Sequence, residues 1–412
     1  MARVGGTARV CVPDDTLEGA PAAPERTYTA ALDVVVRYLR MVCAWPEGRG
    51  PLARAFSYVL PYSFASSGVP QLVYFALGEH EDNVELVGFL ADALGSSLCC
   101  FKMFQLQKHA VTIMAVREIL EGFTPMERSV AAHAELLNEH CERRSVTILR
   151  RYVRAYSVLS ALTVVFMVLA VIRNDPWYSV KAPRYMMETR PLYLFMVVIA
   201  TIELYAFPVA IGLYDGMIFT LSLHTACKCD VLALVLEQAV RQDADEIGLQ
   251  DGAEEGKRMR LCAVYHQQII RLHRASESIF STVALCQMFY TLFGLGTPLF
   301  RMLNKTQEVE PQDIAFSAVY VMWTFIQLFT FCYSGDIVAK ASTRLSLASY
   351  VSFHPSLSGK DTQLGRIQNM IVLRAQRPLF LTAGRLTNLT LKLFQDIMRR
   401  SYSLYSTVLR MR

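Results

Sequence analysis

Residues 378–412 read PLFLTAGRLTNLTLKLFQDIMRRSYSLYSTVLRMR, and this stretch decides how the rest of the chain is interpreted. Its apolar residues recur at helical spacing, at Leu386, Leu389, Leu393, Ile397, Leu404 and Val408. The stretch is long enough to cross a bilayer, for which about 20 residues suffice. A charge at the bilayer centre costs roughly 2.5–3.5 kcal/mol, yet the stretch carries Arg385, Lys392, Asp396, Arg399 and Arg400. If it spans, its polar face must meet protein or water, as in a pore-lining helix; the alternative is a soluble amphipathic helix.

The composition favours a membrane protein. Of the 412 residues, 53% are hydrophobic and only 19% are charged, whereas about 25% are charged in soluble domains. The first fifty residues lack the apolar core of a cleavable signal peptide, so we expect insertion through internal spans. The net charge of +5 is modest and predicts no nucleic-acid partner. No catalytic constellation is present and no cofactor is predicted. Cys227 and Cys229 have no partner at zinc spacing, so no metal site is predicted either.

The hydropathy pattern predicts an all-α membrane protein with seven spans, at residues 52–77, 84–116, 152–172, 192–223, 279–303, 314–333 and 381–411. Residues 126–152, 229–240 and 256–276 continue the helical spacing beyond spans three, four and five. Residues 241–255 are acidic and are interpreted as a flexible link. We therefore expect helices that extend into an intracellular anchor bundle, which also joins subunits.

The loop charges orient these spans. One side of the membrane would receive 19 basic loop residues and the other side five, so the first side is predicted to be cytoplasmic. The N-terminus then lies inside and the C-terminus outside, opposite to a G-protein-coupled receptor. A glycosylation sequon at Asn304 falls in a loop that this topology places outside.

The last eighty residues resemble the insect odorant receptor family. Residues 335–350 read GDIVAKASTRLSLASY, and the ending has the form L-x-A-G-x-F/L-x-x-L-[ST]-L-x-x-F followed by S-Y-S-x-[FY] and then by L-R. These positions are filled by Ala383, Gly384, Leu389, Thr390, Leu391, Phe394, Ser401, Tyr402, Ser403, Tyr405, Leu409 and Arg410. The related gustatory receptors end in a TYxxxxxQF pattern, and no Gln-Phe pair occurs in this chain.

The resemblance implies a subunit of a ligand-gated, non-selective cation channel in the plasma membrane of sensory dendrites. Four subunits would surround one pore, usually in a hetero-oligomer with an olfactory co-receptor. The long intracellular insertion of the co-receptor is missing, so this chain is interpreted as the subunit that binds a small volatile apolar ligand. The implied domains are a cytoplasmic N-terminal segment (1–51), helices one to six with the ligand pocket and cytoplasmic extensions (52–333), a cytoplasmic anchor region (334–379) and a pore-lining helix seven (380–412). Membrane lipid is a further implied partner.

The resemblance also implies pore residues. Ile397, Ser401, Leu404 or Tyr405, and Val408 fall on one stripe of the last helix, and Val408 resembles the apolar constriction of the family. Arg412 lies one turn further, where a ring of arginines would repel cations. The pore residues are therefore predicted to be Ser401, Leu404, Val408 and Arg412, with lipid contact or packing as the alternative for Val408.

An apolar ligand needs an aromatic and aliphatic cavity, which the outer halves of spans two, three, four and six can supply. The candidates are Phe89, Leu90, Phe166, Met167, Ala170, Ile202, Tyr205, Phe316, Tyr320 and Trp323. Phe316, Tyr320 and Trp323 share one helical face, and ordinary packing is the alternative for each. Glu203 is expected to be the one acid buried in the membrane, hydrogen-bonded to a neighbouring helix. A G-protein-coupled or gustatory-type receptor remains the alternative function, whereas a transporter is disfavoured because the two halves show no similarity.

Overall fold

The computed structural model describes residues 30–41, 45, 83–123, 128–172, 190–245, 252–295, 311–352 and 362–410. Nine helices and one hairpin make up this described part of the chain. The helices are α1 (Ala30–Met41), α2 (Asn83–Lys108), α3 (Ala110–Glu121), α4 (Arg128–Ile172), α5 (Arg190–Asp245), α6 (Gly252–Gly294), α7 (Pro311–Val351), α8 (Thr362–Ala375) and α9 (Leu391–Arg410). The hairpin consists of β1 (Thr382–Ala383) and β2 (Thr387–Asn388), paired antiparallel.

Helix α5 is the centre of the fold, and its side chains are almost all buried over residues 209–229. It packs mainly between α4 and α7. Two glycines, Gly212 and Gly216, let α4 approach closely: a Cβ atom at Gly212 would lie 2.6 Å from the ring of Tyr156, and one at Gly216 would lie 2.8 Å from Leu149. Small residues four positions apart are a frequent packing device of membrane helices because they bring two backbones together.

The predicted extension of the spans into longer helices is confirmed. Helix α4 runs from Arg128 to Ile172 without interruption, α5 covers both of its predicted parts, and α6 continues from its extension into span five. Within the described residues, Pro208–Glu237 and Ser317–Val351 are long and apolar enough to cross a membrane. Span one, at residues 52–77, lies outside the described residues.

Two predicted boundaries are wrong. Residues 84–116 do not form one helix, because α2 ends at Lys108 and α3 begins at Ala110, with His109 in a turn between them. The acidic link at 241–255 is partly helical, since α5 extends to Asp245 and α6 starts at Gly252. Alanine and glutamate are good helix formers, and their propensity outweighs the charge that suggested a flexible link.

The seventh helix also begins later than predicted, at Leu391 instead of residue 381. Gly384 and Arg385 both have left-handed backbones, with φ of 59° and 61°, and this turns the chain into the hairpin. The amide of Leu386 donates to the carbonyl oxygen of Ala383 at 3.0 Å and closes the turn. Leu386, at the tip of the hairpin, is 76% exposed. It fits the helical spacing of the apolar residues but does not belong to a helix.

Helix α1 is fixed to the other helices at its first turn. The amide of Ala31 donates to Glu142 Oε1 of α4 at 2.7 Å, so a carboxylate satisfies a donor that the helix itself leaves open. Leu32, Val35 and Leu39 are buried beside α4 and α5. The N-terminal segment therefore contributes a packed helix to the core.

Gly335 of α7 allows the chain between the hairpin and α9 to pass close to α7. A Cβ atom there would collide with the carbonyl oxygen of Leu389 and would lie 2.7 Å from its side chain. We expect Gly335→Ala to destabilise the protein by roughly 2 kcal/mol, because rigid backbone must move away. The measurement is the thermal melting temperature in detergent.

Gly95→Ala is the matched control, since its Cβ atom would meet the Tyr290 hydroxyl at an ordinary 3.4 Å. Equal melting temperatures for the two variants would show that the contact at Gly335 is not a constraint.

Candidate ligand site and pore helix

Tyr320, a predicted ligand residue, forms a tyrosine pair between α6 and α7. Its hydroxyl lies 2.8 Å from that of Tyr290, and both side chains are partly buried. Two glycines border the pair: a Cβ atom at Gly95 of α2 would lie 3.4 Å from the Tyr290 hydroxyl, and one at Gly294 would lie 3.4 Å from the Tyr320 hydroxyl. Three helices therefore meet around two hydroxyl groups in an aromatic setting.

Trp323, one turn further along α7, contacts α4. Its ring meets the ring of Tyr156 edge-on, with centroids 4.6 Å apart, an arrangement that aromatic pairs favour. The Tyr156 hydroxyl lies 2.9 Å from that of Tyr152, which lies 3.1 Å from Thr330 Oγ1. A continuous chain of contacts thus runs from Trp323 through two tyrosines and back to α7. Tyr152, Tyr156 and Tyr290 were not predicted from the sequence.

The other predicted ligand residues are spread over four helices. Phe166 is partly buried on α4, and Tyr205 is 49% exposed on α5. Six more lie within α2, α4, α5 and α7, but their side chains fall outside the described residues: Phe89, Leu90, Met167, Ala170, Ile202 and Phe316. Asn304, the predicted glycosylation site, also lies outside them.

A buried ion pair that was not predicted from the sequence joins α2 to α5. Lys102 Nζ lies 2.8 Å and 3.0 Å from the two carboxylate oxygens of Asp215, and both side chains are fully buried. The ammonium also lies over the ring of Phe331, 5.4 Å from its centroid. The expectation that Glu203 is the one acid buried in the spans is therefore wrong; the side chain of Glu203 itself is outside the described residues. A search of the predicted spans for opposite charges would have found the pair.

The hairpin before α9 is held by α6. Glu277 Oε2 accepts the amide of Thr382 at 3.0 Å, and its other oxygen contacts the Thr382 hydroxyl. Ser281 Oγ lies 3.1 Å from that hydroxyl, and the Ser281 carbonyl accepts the amide of Gly384 at 2.8 Å. Thr390 Oγ1 then accepts the amide of Leu393 and caps the start of α9. The first turn of α9 is thereby fixed relative to α6.

Aromatic rings join the first turn of α9 to α7. Phe394 meets Phe325 and Phe329 edge-on at 5.0 and 5.6 Å, and Phe329 stacks on Tyr333 at 5.4 Å. Tyr333 in turn stacks on Phe219 of α5 at 6.0 Å. This aromatic ladder connects α9 through α7 to the central helix.

Part of the predicted pore stripe faces the protein interior. Ile397 and Ser401 are each only 5% exposed, because this face of α9 packs against α6 and α7. The accessible face at the same level carries Tyr402, which is 72% exposed, and Ser403. The side chains of Leu404 and Val408, and the whole of Arg412, lie outside the described residues.

Cys227 and Cys229, the close cysteine pair of the sequence, are packed between helices. Cys227 Sγ lies 3.7 Å from the carbonyl oxygen of Leu137 and from Asn138 Oδ1, while Cys229 is completely buried. Among the residues that the structure describes, no group of three or more His, Cys, Asp or Glu side chains is arranged to hold a metal ion.

Two histidines of the α6 extension are buried beside arginines. Burial lowers the pKa of His266 to about 4, and the charge of Arg374 acts in the same direction. Burial also lowers the pKa of His273 to about 4; a hydrogen bond to the backbone of Phe380 opposes this, while Arg374 and Arg274 add to it. Both histidines are therefore neutral in the folded protein at pH 7.

These histidines predict an acid-sensitive fold. The unfolded chain takes up protons below the ordinary histidine pKa of 6.5, whereas the folded chain does so only near pH 4. Stability should thus fall as the pH drops from 6.5 to 4, by on the order of 3 kcal/mol for each histidine. The measurement is the melting temperature in detergent across this range.

Replacing both by leucine, with His266→Leu and His273→Leu, should flatten this pH dependence. The exposed His140 provides the control, as His140→Leu. An unchanged slope in the double variant would assign the acid sensitivity to other groups.

Several known proteins are similar to this chain. A family model described as 7tm Odorant receptor matches residues 85–402. Odorant receptor 85c of Drosophila melanogaster is 23% identical over 192 residues, which cover 47% of this chain and 46% of that protein. Odorant receptor Or2 of Anopheles gambiae is 27% identical over 191 residues, covering 44% of this chain and 49% of that protein. The chain thus spans about half the length of the curated relatives it matches.

Solved structures show the same fold. The insect olfactory receptor OR5 from Machilis hrabei superposes with a TM-score of 0.76 over 94% of this chain and 100% of that chain, at 13% sequence identity. The structure of the same receptor in complex with eugenol gives a TM-score of 0.75 over the same shares. The predicted all-α fold with seven spans is thereby confirmed.

Proposed function

The chain belongs to the 7tm Odorant receptor family, and on that premise we propose that it is an odorant receptor subunit of a ligand-gated, non-selective cation channel. The family match covers residues 85–402 and so includes the pocket helices, the anchor and most of α9. We place the N-terminus in the cytoplasm and the C-terminus outside, at the plasma membrane of a sensory dendrite.

The ligand we propose is a small volatile that binds among the aromatic side chains of α4, α6 and α7. Support comes from the aromatic faces of Tyr290, Tyr320 and Trp323, together with the two tyrosine hydroxyl groups, which can orient one polar atom. The OR5 structure with eugenol offers an example of such a ligand in a protein of this fold. Burying ~250 Å² of ligand surface contributes about 6 kcal/mol, which corresponds to a dissociation constant of tens of micromolar.

The observation that carries the channel proposal is the accessible polar face of α9. Lys392, Arg399 and Arg400 are exposed, while the opposite face packs on α6 and α7. Such a face is costly in lipid and suits contact with water between four subunits. Because a ring of basic side chains would repel cations, we propose that these residues border the wide inner part of the passage, with Leu404 and Val408 at its narrow outer end. In this proposal a co-receptor contributes the remaining subunits, and Tyr402 and Ser403 face the passage in place of Ser401.

The orientation separates this proposal from a G-protein-coupled or gustatory-type alternative. An epitope tag placed after Arg412 should be reached by antibody on intact cells, since the C-terminus is proposed to lie outside. A tag before Met1 is the control and should require permeabilised cells. The opposite labelling pattern would favour a G-protein-coupled receptor.

Current recording tests the activity itself. Cells that express this chain with the co-receptor should give a cation current when exposed to a panel of volatiles that includes eugenol. Surface expression without current, both alone and with the co-receptor, would contradict the channel proposal.

Tyr320→Ala should raise the half-maximal ligand concentration about tenfold without changing ion permeability ratios, because Tyr320 is proposed to contact ligand and not the pore. Tyr350→Ala, at the exposed end of the same helix, is the matched control and should leave the response curve unchanged. A changed permeability ratio with an unchanged response curve would remove Tyr320 from the ligand site.

A further inference from the structure

We propose that the Lys102–Asp215 ion pair is a positioning pair for the odorant response. It fixes α2 against α5 and, through Tyr152 and Tyr156, sets where Trp323 stands. This inference rests on the proposed function, because Trp323 is assigned there to the ligand site. It gives a role to two charges that neither the pocket nor the pore uses.

The pair is shielded from solvent, and its ammonium also lies over an aromatic ring. Both side chains are completely buried, and the ammonium meets both carboxylate oxygens and the face of Phe331. In such surroundings the attraction falls steeply with displacement, since little solvent screens it. Apolar side chains of similar size would fill the space without penalty, but they would tolerate sliding of one helix along the other.

The pair stands where four helices converge. Asp215 lies between Gly212 and Gly216, the two glycines that bring α4 against α5. The ring of Tyr152 would lie 3.6 Å from a Cβ atom at Gly216, on the α4 side of the same crossing. Phe331 brings α7 to the ammonium. A shift of α2 along α5 would therefore move the ammonium away from Asp215, beside the α4 crossing, and away from Phe331 of α7.

Two tyrosines of α4 connect this crossing to the proposed ligand site. The Tyr152 hydroxyl joins Thr330 of α7 to Tyr156, and Tyr156 supports the edge of Trp323. Lys102 follows Leu90 by twelve residues, or about 18 Å of helix, and Asp215 follows Tyr205 by ten residues, or about 15 Å. The pair thus sets the axial position of two helices that carry predicted ligand residues.

The test uses an apolar replacement of the whole pair, Lys102→Met with Asp215→Leu, in the full chain expressed with the co-receptor. Surface expression should stay within twofold of wild type, because the double change leaves no buried charge unpaired. Lys102→Met alone should reduce it at least fivefold, since Asp215 then stays buried without its partner.

Two readouts separate positioning from mere stability. The first is the half-maximal concentration of the volatile that evokes the largest wild-type current in a panel including eugenol. The second is the ¹⁹F resonance of Trp323 in the purified full chain labelled with fluorotryptophan, assigned by its loss in Trp323→Phe. We expect the double variant to raise the half-maximal concentration at least fivefold and to displace the resonance.

The half-exposed ion pair of Arg344 with Asp230 provides the matched control. It also joins α5 to α7. The double change Arg344→Met with Asp230→Leu should keep the half-maximal concentration within twofold of wild type and leave the Trp323 resonance unmoved. Tyr152→Phe is nearly isosteric, and it should displace the Trp323 resonance and raise the half-maximal concentration about threefold.

A double variant at the surface with a response curve within twofold of wild type and an unmoved resonance would overturn the inference. If the double variant fails to reach the surface, wild-type behaviour of Tyr152→Phe in both readouts overturns it equally. A wild-type chain silent to the whole panel defeats the proposed function, while the resonance still decides whether the pair positions Trp323.

Discussion

The packing of this chain depends on one crossing, where the backbone of α5 passes within contact of α4 at Gly212 and Gly216. Close approach there brings Leu149 and Tyr156 onto the central helix and leaves Asp215 directed towards α2. An acid in that position would be costly alone, and Lys102 neutralises it at hydrogen-bonding distance. The two glycines and the ion pair together fix the relative positions of α2, α4 and α5.

The second constraint lies at the other end of the chain, where the hairpin separates the anchor from α9. Glu277 and Ser281 hold Thr382 and Gly384 on α6, while Gly335 admits the backbone of Leu389 on α7. The aromatic ladder from Phe394 continues this attachment along α7. Movement of α6 or α7 would therefore reach α9 through rigid contacts, which is the mechanical requirement for a helix that opens and closes a passage.

Some features of this structure could be predicted from the sequence and others could not. The long helices followed directly from apolar spacing, since α4, α5 and α6 each keep one pattern through membrane and extension. The candidate ligand residues Tyr320 and Trp323 were found because aromatic side chains shared one face of a predicted span. Their partners Tyr290 and Tyr156 lie on other helices, and no local sequence pattern predicts which helices will be neighbours.

The sequence by itself determined that the chain is helical, membrane-spanning and related to odorant receptors, because hydrophobic periodicity and the C-terminal motif are local properties. It did not determine where α9 begins, since the spacing of Leu386 and Leu389 is the same in a helix and in the hairpin that two left-handed residues create. Only the tertiary structure decided which face of α9 is buried at Ser401 and which acid meets Lys102. Both depend on contacts between residues far apart in the chain. The energy of those contacts depends on burial, which arises only when several helices pack together.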